Sequence, residues 1–459
     1  MKRDMTVGRE WKLIFMFALP IMAGNLLQQL YNTVDGIVVG NYVGEAAFSA
    51  VGTCAAITFL FLAFAMGLSV GAGVVVAQYF GAKREKDVAV SVDTSLILLA
   101  AVGAVITVIG YAVTPFLLKN LLNVPGDLND PNSIIGMAVT YLRIYCIGLT
   151  FQFVYNCIAS VLRAVGDSKA SLYFLLASTI ANTLLDVWFV ASFRWGVAGA
   201  AWATVISQVL CVVFAYIYLR RRFPLQRGLR HFDGAICKTM LKIGVPTAVQ
   251  QSIVSVGNVF MQRLVNGFGE TCIAAFSAGT RINNFVFVPI IGFQSALANF
   301  AGQNVGARRF DRVKRGYRTS LIMSLSITIA ICVALFAFAP YVVTIFGLTA
   351  ESVAMGTEQI RFLAPTYWIF AAYMTLGGVL QGAGDTILQS IATLTALALR
   401  VVLGYVGVNL GLMGYAAAWS TLPIGWAAAI IITNIRYYTG GWKKKAIAGR
   451  TTTIEIAEG

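Results

Sequence analysis

An all-α integral membrane protein is the fold class that the sequence predicts, with twelve transmembrane helices in two six-helix lobes related by a pseudo-twofold axis along the membrane normal. Composition, the placement of positive charge and an internal repeat carry the prediction. Of 459 residues, 58% are hydrophobic and only 12% are charged, about half the charge of a soluble chain. So few charges cannot clothe a water-exposed surface of this size. Disorder, a secreted disulfide scaffold and a nucleic-acid binder are excluded with it. The net charge of +15 then reads as lysine and arginine held in cytoplasmic loops.

A helix needs about 20 apolar residues to cross ~30 Å of hydrocarbon. Such stretches fall at 12–40, 47–78, 93–118, 136–162, 170–192, 197–219, 241–266, 272–302, 318–346, 353–380, 387–410 and 414–437. The first follows a basic N-terminus, as in a signal peptide, but runs to Gly40 without a small-x-small site. An uncleaved first span is therefore expected. With the N-terminus inside, 27 of the 34 basic residues fall on the inner side and two, Lys119 and Arg194, outside. That asymmetry requires an even number of spans and two cytoplasmic ends. The expected location is the plasma membrane.

Six of the seven cysteines lie in apolar stretches, and no CxxC or Cys/His cluster marks a metal site or a disulfide. The single histidine, His231, sits in a basic loop, so no histidine proton relay is available.

The chain repeats itself. Ala77-Gln-Tyr-Phe-Gly-Ala-Lys-Arg84 returns as Gly302-Gln-Asn-Val-Gly-Ala-Arg-Arg309, and Val161-Leu-Arg-Ala-Val-Gly-Asp167 as Val379-Leu-Gln-Gly-Ala-Gly-Asp385. Ala47-Phe-Ser-Ala50 matches Ala275-Phe-Ser-Ala278, Pro20 matches Pro246 and Arg143 matches Arg361. Both halves start inside, which makes the repeat parallel and favours alternating access about a central site. The expected organisation is an N-terminal lobe over 1–219, a cytoplasmic basic linker over 220–240, a C-terminal lobe over 241–438 and a cytoplasmic tail over 439–459.

Among the acids, Asp35 on span 1 and Asp186 on span 5 lie well inside the ladder. Counting inward at 1.5 Å per residue puts both, and Thr204 on span 6, roughly 10–13 Å below the outer surface. Asn32 and Asn182 share their aspartates' helix faces one turn deeper, and Gln28 continues the first face. Carboxylates, amides and a hydroxyl at one depth usually mark an ion or substrate path. The bland alternative is an Asp–Asn pair that ties helices together. Tyr31 is a further cavity candidate.

At this point the sequence resembles the multidrug and toxic compound extrusion (MATE) family over nearly its whole length. The paired Gln-x-x-Gly-Ala-[KR]-Arg loops and Val-Leu-x-x-x-Gly-Asp span ends carry the resemblance. It is closer to the DinF-like branch, in which an Asp on span 1 and an Asn-x-x-x-Asp on span 5 form the cation-responsive site. Asp35, Asn182 and Asp186 match that pattern, and Thr204 matches its polar residue on span 6. The same four would hold sodium if sodium replaces the proton. The acids of the NorM-like branch lie in the C-terminal half, and spans 7 and 10 here lack a deep acid. The resemblance also makes Pro20 a hinge, with a static kink as the alternative.

Arg281 and Arg400 lie deep in the C-terminal half without a carboxylate near them in sequence. They either cap carbonyls or meet a water-filled cavity, or else they repel cations or hold an anionic part of a substrate. The implied function is a secondary antiporter that exports amphipathic, mostly cationic small molecules in exchange for protons or sodium, as a monomer in the lipid bilayer and without a cofactor. A lipid-linked sugar flippase is the alternative within this fold. An enzyme is not expected, because no Asp-Asp-x-x-Asp cluster or catalytic histidine is present.

Overall fold

The computed structural model describes residues 4–43, 45–121, 124, 126–128, 130–131, 133–224 and 230–447; within these, the side chains of 30–42, 45, 46, 48, 56 and 121 are outside the description. Among the described residues the elements are helical. The first six long helices are α1 (Glu10–Val43), α2 (Glu45–Gly81), α3 (Glu85–Phe116), α4 (Ile134–Ala164), α5 (Ser168–Asp186) and α6 (Gly196–Arg222). The second half follows as α7 (Gly234–Asn266), α8 (Glu270–Gly306), α9 (Phe310–Thr344), α10 (Ala350–Leu363), α11 (Tyr367–Ala383), α12 (Thr386–Asn409), α13 (Ala417–Ser420) and α14 (Leu422–Tyr438).

Eleven segments among the described residues are long and apolar enough to cross a membrane. Helix α7 completes the set by length, at 33 residues, although Gln250, Gln251, Ser252, Ser255, Asn258 and Gln262 make it more polar than the rest. Two expected spans are broken. The tenth divides into α10 and α11 at a 3₁₀ turn, Ala364–Thr366, because Pro365 cannot donate the amide that a continuous helix needs. The twelfth divides into α13 and α14, with Pro423 in the first turn of α14. Many helices also outrun the bilayer. Helices α2 and α8 each have 37 residues, roughly 55 Å against ~30 Å of hydrocarbon.

The repeated motifs have repeated jobs. In Val-Leu-x-x-x-Gly-Asp, the glycine takes a left-handed conformation in both copies, with φ of +88° at Gly166 and +83° at Gly384, a turn that glycine makes without steric cost. The aspartate then ties the next helix to the last of its lobe. Asp167 caps α5 at Ala170 N (3.2 Å) and pairs with Arg222 at 2.8 Å. Asp385 pairs with Arg436 at 2.6 Å.

The lobes are joined on the face that carries both ends of the described residues, near Met5 and Ile447. Helix α1 packs there on α8, with Leu13, Ile14 and Phe17 in one apolar cluster with Phe293, Phe300 and Val379. Helix α7 packs on α2 in the matching way, and Met240, Ile243 and Ala248 lie among Leu68, Ala72 and Val75. Small residues permit the approach: a Cβ added to Gly67 would overlap the Ala248 backbone, and one on Gly71 the Met240 carbonyl oxygen. In lipid such close packing takes the place of a hydrophobic driving force. Toward the opposite face α2 and α8 lose this cover, leaving Ser49, Gly52 and Ala55 exposed on one and Ser277, Thr280, Arg281 and Asn284 on the other.

Candidate functional site

Asp186 closes α5 and is 1% exposed. Directly after it the chain winds as a π-helix, Val187–Ser192, an arrangement frequent at functional sites. Four aromatic rings, Trp188, Phe189, Phe193 and Trp195, pack over this turn and seal the α5–α6 hairpin.

One turn before Asp186, Asn182 is equally buried, and Thr204 of α6 faces it. In one orientation of its amide, Asn182 Nδ2 lies 3.4 Å from Thr204 Oγ1. In the other, which satisfies both ends, the nitrogen donates to Asp186 Oδ2 at 2.9 Å and the oxygen accepts from Thr204 N at 3.2 Å. The hydroxyl of Thr204 donates to Ala200 O at 3.1 Å, and Ser207 Oγ to Thr204 O at 2.9 Å. A carboxylate, an amide and a hydroxyl therefore stand together in a dry interior, with oxygen atoms able to accept a proton or surround a small cation. Residues 182, 186 and 204 are brought together as the sequence reading expected.

Helix α1 lies beside this group, packed on α5 and α6. Tyr31, Asn32 and Asp35 have side chains outside the description. Gln28 is half-buried, and Pro20 is buried within a helix that continues through it. A Cβ added to Gly24 would lie 3.7 Å from Leu175 and 3.9 Å from Leu172 of α5, and one added to Gly196, at the start of α6, would lie 3.7 Å from Val43.

The C-terminal lobe repeats this register. Gln250 of α7 bonds Thr393 Oγ1 (3.0 Å) and Ser390 Oγ (2.8 Å) of α12. Gly24 and Gln250 each stand four residues after their matched prolines. Leu172 and Leu175 stand five and eight residues after Asp167, and Ser390 and Thr393 five and eight after Asp385. Helix α1 on α5 and helix α7 on α12 are thus one packing used twice.

Arg400 of α12 donates to Asn258 Oδ1 of α7 at 3.1 Å, whereas Arg281 is exposed on α8. Arg143 and Arg361 lie over the rings of Tyr111 (5.1 Å) and Phe336 (5.9 Å), a matched pair of cation–π contacts.

Sequence reading missed a second polar centre on the terminal face. Gln78 Nε2 donates to Gly382 O at 3.1 Å while its Oε1 accepts from Ile447 N at 2.7 Å. Gln303 Nε2 donates to Ala164 O and its Oε1 accepts from Met5 N, both at 2.8 Å. Each glutamine of the repeated loop thus caps a helix end in the opposite lobe and holds one chain terminus. The repeat itself was the signal, since both glutamines occupy the same motif position. His231 is also engaged: its Nδ1 lies 2.7 Å from Asp93 Oδ2, and Arg220 pairs with Asp93 Oδ1 at 2.5 Å. Among the described residues no group of three or more His, Cys, Asp or Glu forms a metal site.

The family model MatE matches residues 20–188 and 246–406, one block in each repeat, and the model for the lipid II flippase MurJ matches 129–272. The probable multidrug resistance protein YpnP of Bacillus subtilis is 30% identical over 385 residues, 83% of this chain and 84% of that protein. YoeA of the same organism, also named a probable multidrug resistance protein, is 26% identical over 448 residues and 95% of each. Among solved structures, an outward-facing multidrug resistance MATE transporter superposes with a TM-score of 0.87 at 26% identity, over 96% of this chain and 99% of that one. A MATE transporter in its bent conformation gives 0.88 at 26%, over 96% and 97%. With both repeats matched by one model and close relatives alike over most of their length, this chain belongs to the MATE family of multi-pass membrane transporters.

Proposed function

We propose that this protein exports amphipathic, mostly cationic organic compounds in exchange for protons or sodium, with Asp35 and Asp186 as the coupling carboxylates. The buried Asn182–Asp186–Thr204 group carries the reading. The register of α1 supports Asp35 as its partner: eleven residues beyond the Gly24–Leu175 contact on each helix are Asp35 and Asp186. From the Val43–Gly196 contact, eight residues inward on each helix are Asp35 and Thr204. On this reading the site is of the DinF-like kind, in the N-terminal lobe.

Two carboxylates in a poorly hydrated site resist being ionised together. A proton or sodium ion that enters from outside neutralises the pair and removes its attraction for a bound organic cation. The cargo leaves, α1 rearranges about Pro20, and the coupling ion is released once the site faces the cytoplasm. Coupling requires that the loaded and empty pair favour different conformations. One proton exchanged for one monovalent cation moves no net charge, whereas a second would add about 2.3 kcal/mol per 100 mV.

The terminal face is the cytoplasmic one on this reading, because it collects the basic loops, and the glutamine contacts close it. The protein acts as a monomer in the plasma membrane. Efflux of a cationic dye from proteoliposomes, driven in turn by a proton and a sodium gradient, tests the proposal: Asp35→Asn and Asp186→Asn each lower it tenfold or more while leaving insertion intact. Full efflux by either variant removes that residue from the mechanism. Rescue of a flippase-deficient strain without dye efflux would favour the lipid-linked sugar reading instead.

A further inference from the structure

The shared register of the two lobes assigns a counterpart to each of Asn32, Asp35, Asn182 and Asp186. Counted from the matched prolines and aspartates, Asn32 corresponds to Asn258, Asp35 to Met261, Asn182 to Arg400 and Asp186 to Gly404. In the C-terminal lobe these counterparts do meet. Arg400 bonds Asn258 at 3.1 Å, and a Cβ on Gly404 would touch Met261 Cε at 3.5 Å. Where the first lobe has two acids and an amide, the second has a thioether, no side chain and a guanidinium. The polarity of the site is reversed.

This guanidinium does not reach for lipid. Exposed apolar residues of α12, Ile387, Ile391, Val402 and Val406, form its outer stripe. Arg400, two residues before Val402, points roughly 200° away from it, on the side of the buried Gln389, Ser390 and Gly404. Asn258 likewise lies opposite the outer stripe of α7, Val249, Ile253, Val256 and Phe260, yet is exposed. Both therefore point away from the outer stripes of their helices. The Nε of Arg400 is buried and has no hydrogen-bond partner, and no ion pair forms on Arg400 among the described residues. An arginine held in a membrane interior without an acid is costly, and such residues usually mark a substrate or ion path.

We infer that Arg400, oriented by Asn258, is a fixed anion subsite that receives the carboxylate of a zwitterionic amphiphile. It rests on the exporter reading and extends it: cargo is held by its cationic end at the N-terminal lobe and by its carboxylate at the C-terminal lobe. The planar fork of a guanidinium suits a carboxylate, and such charge-assisted bonds are about twice as strong as neutral ones. No proton need be exchanged there, because arginine stays charged.

The test uses a matched pair of dyes, a rhodamine ethyl ester (a monocation) and the free acid obtained by hydrolysing it (a zwitterion). Binding to the full-length protein in phosphatidylcholine nanodiscs is read by fluorescence polarisation, where no anionic headgroup competes. Arg400→Gln should weaken the free acid about tenfold or more while leaving the ester within about twofold. Asn258→Asp, which installs an internal carboxylate beside the guanidinium, should produce the same selective loss in a protein whose buried charge is now paired. Equal loss of both dyes, or no loss of the free acid in either variant, overturns the inference. Ester efflux by the wild-type protein is measured separately: its absence counts against the exporter reading, and the contrast between the dyes does not depend on it.

Discussion

Gln78 and Gln303 stand at the same position of the two repeats, and each donates its side-chain amide to a helix-end carbonyl of the other lobe, Gly382 O at 3.1 Å and Ala164 O at 2.8 Å. The glycines three residues on complete the exchange. A Cβ on Gly81 would overlap Gln303 O, and one on Gly306 would overlap Gln78 O. This is a two-sided latch on the terminal face, built from backbone rather than from charge, so salt should leave it intact.

Gly81→Ala or Gly306→Ala should force the ends of α2 and α8 apart and favour the state open on this face. Spin labels at Glu85 and Asp311, just beyond the two helix ends, should move apart by several ångström. Gln303→Ala should do less, since it leaves Ala164 O and Met5 N without this partner at a cost of about 1–3 kcal/mol each if water does not replace it. An unchanged distance distribution in both glycine variants would show that the contact does not hold the lobes together.

At the proposed cation site the two orientations of the Asn182 amide make different demands on Thr204. If the oxygen accepts from Thr204 N, the hydroxyl serves only Ala200 O, and Thr204→Val should cost less than about threefold in efflux. Asn182→Leu removes the bonds to Asp186 and to Thr204 together and should reduce efflux at least tenfold, with the protein still inserted. A severe Thr204→Val would mean that the hydroxyl itself is a ligand of the coupling ion.

Asp186 was legible because carboxylates deep in apolar spans are rare, and Asn182 and Thr204 followed from helix-face spacing, shared depth and the family resemblance. The number of long helices was legible from the apolar stretches, and their even count from the asymmetry of lysine and arginine. The breaks at Ala364–Thr366 and before α14 were not, since Pro365 and Pro423 lie within runs whose apolar composition reads as continuous. Nor was the latch. A repeated Gln-x-x-Gly loop reads as two local turns until the chain is folded and each turn is found against its twin. Arg400 was visible as an odd charge, and the repeated Val-Leu-x-x-x-Gly-Asp motif already aligns it with Asn182, but its bond to Asn258 of α7 required the fold.

Asp93 offers a separate check on the segment between the lobes. It is buried near the start of α3 and holds Arg220 from α6 and His231 beyond it. Asp93→Asn removes the charge that gathers both, leaving Arg220 without its partner. Limited trypsin cleavage at Arg230 should then become several-fold faster, with little change in efflux. Unaltered cleavage would mean that the segment is held by Asp233, whose backbone N–H donates to Thr94 Oγ1 at 3.1 Å, rather than by the ion pairs.

The sharpest test of the coupling proposal is whether Asp35 and Asp186 act as one unit. Two independent carboxylates would give variants whose losses multiply, because effects at uncoupled sites add in free energy. A pair that shares one proton or one sodium ion behaves otherwise: loss of either member destroys the common site, and nothing remains for the second substitution to remove. Each Asp→Asn variant should therefore lower gradient-driven efflux by tenfold or more, and the double variant should be no worse than the weaker single one. Downhill dye equilibration, which needs no coupling ion, should survive in all three if the lobes still exchange conformations. Multiplying losses in the double variant would separate the two acids into different steps of transport.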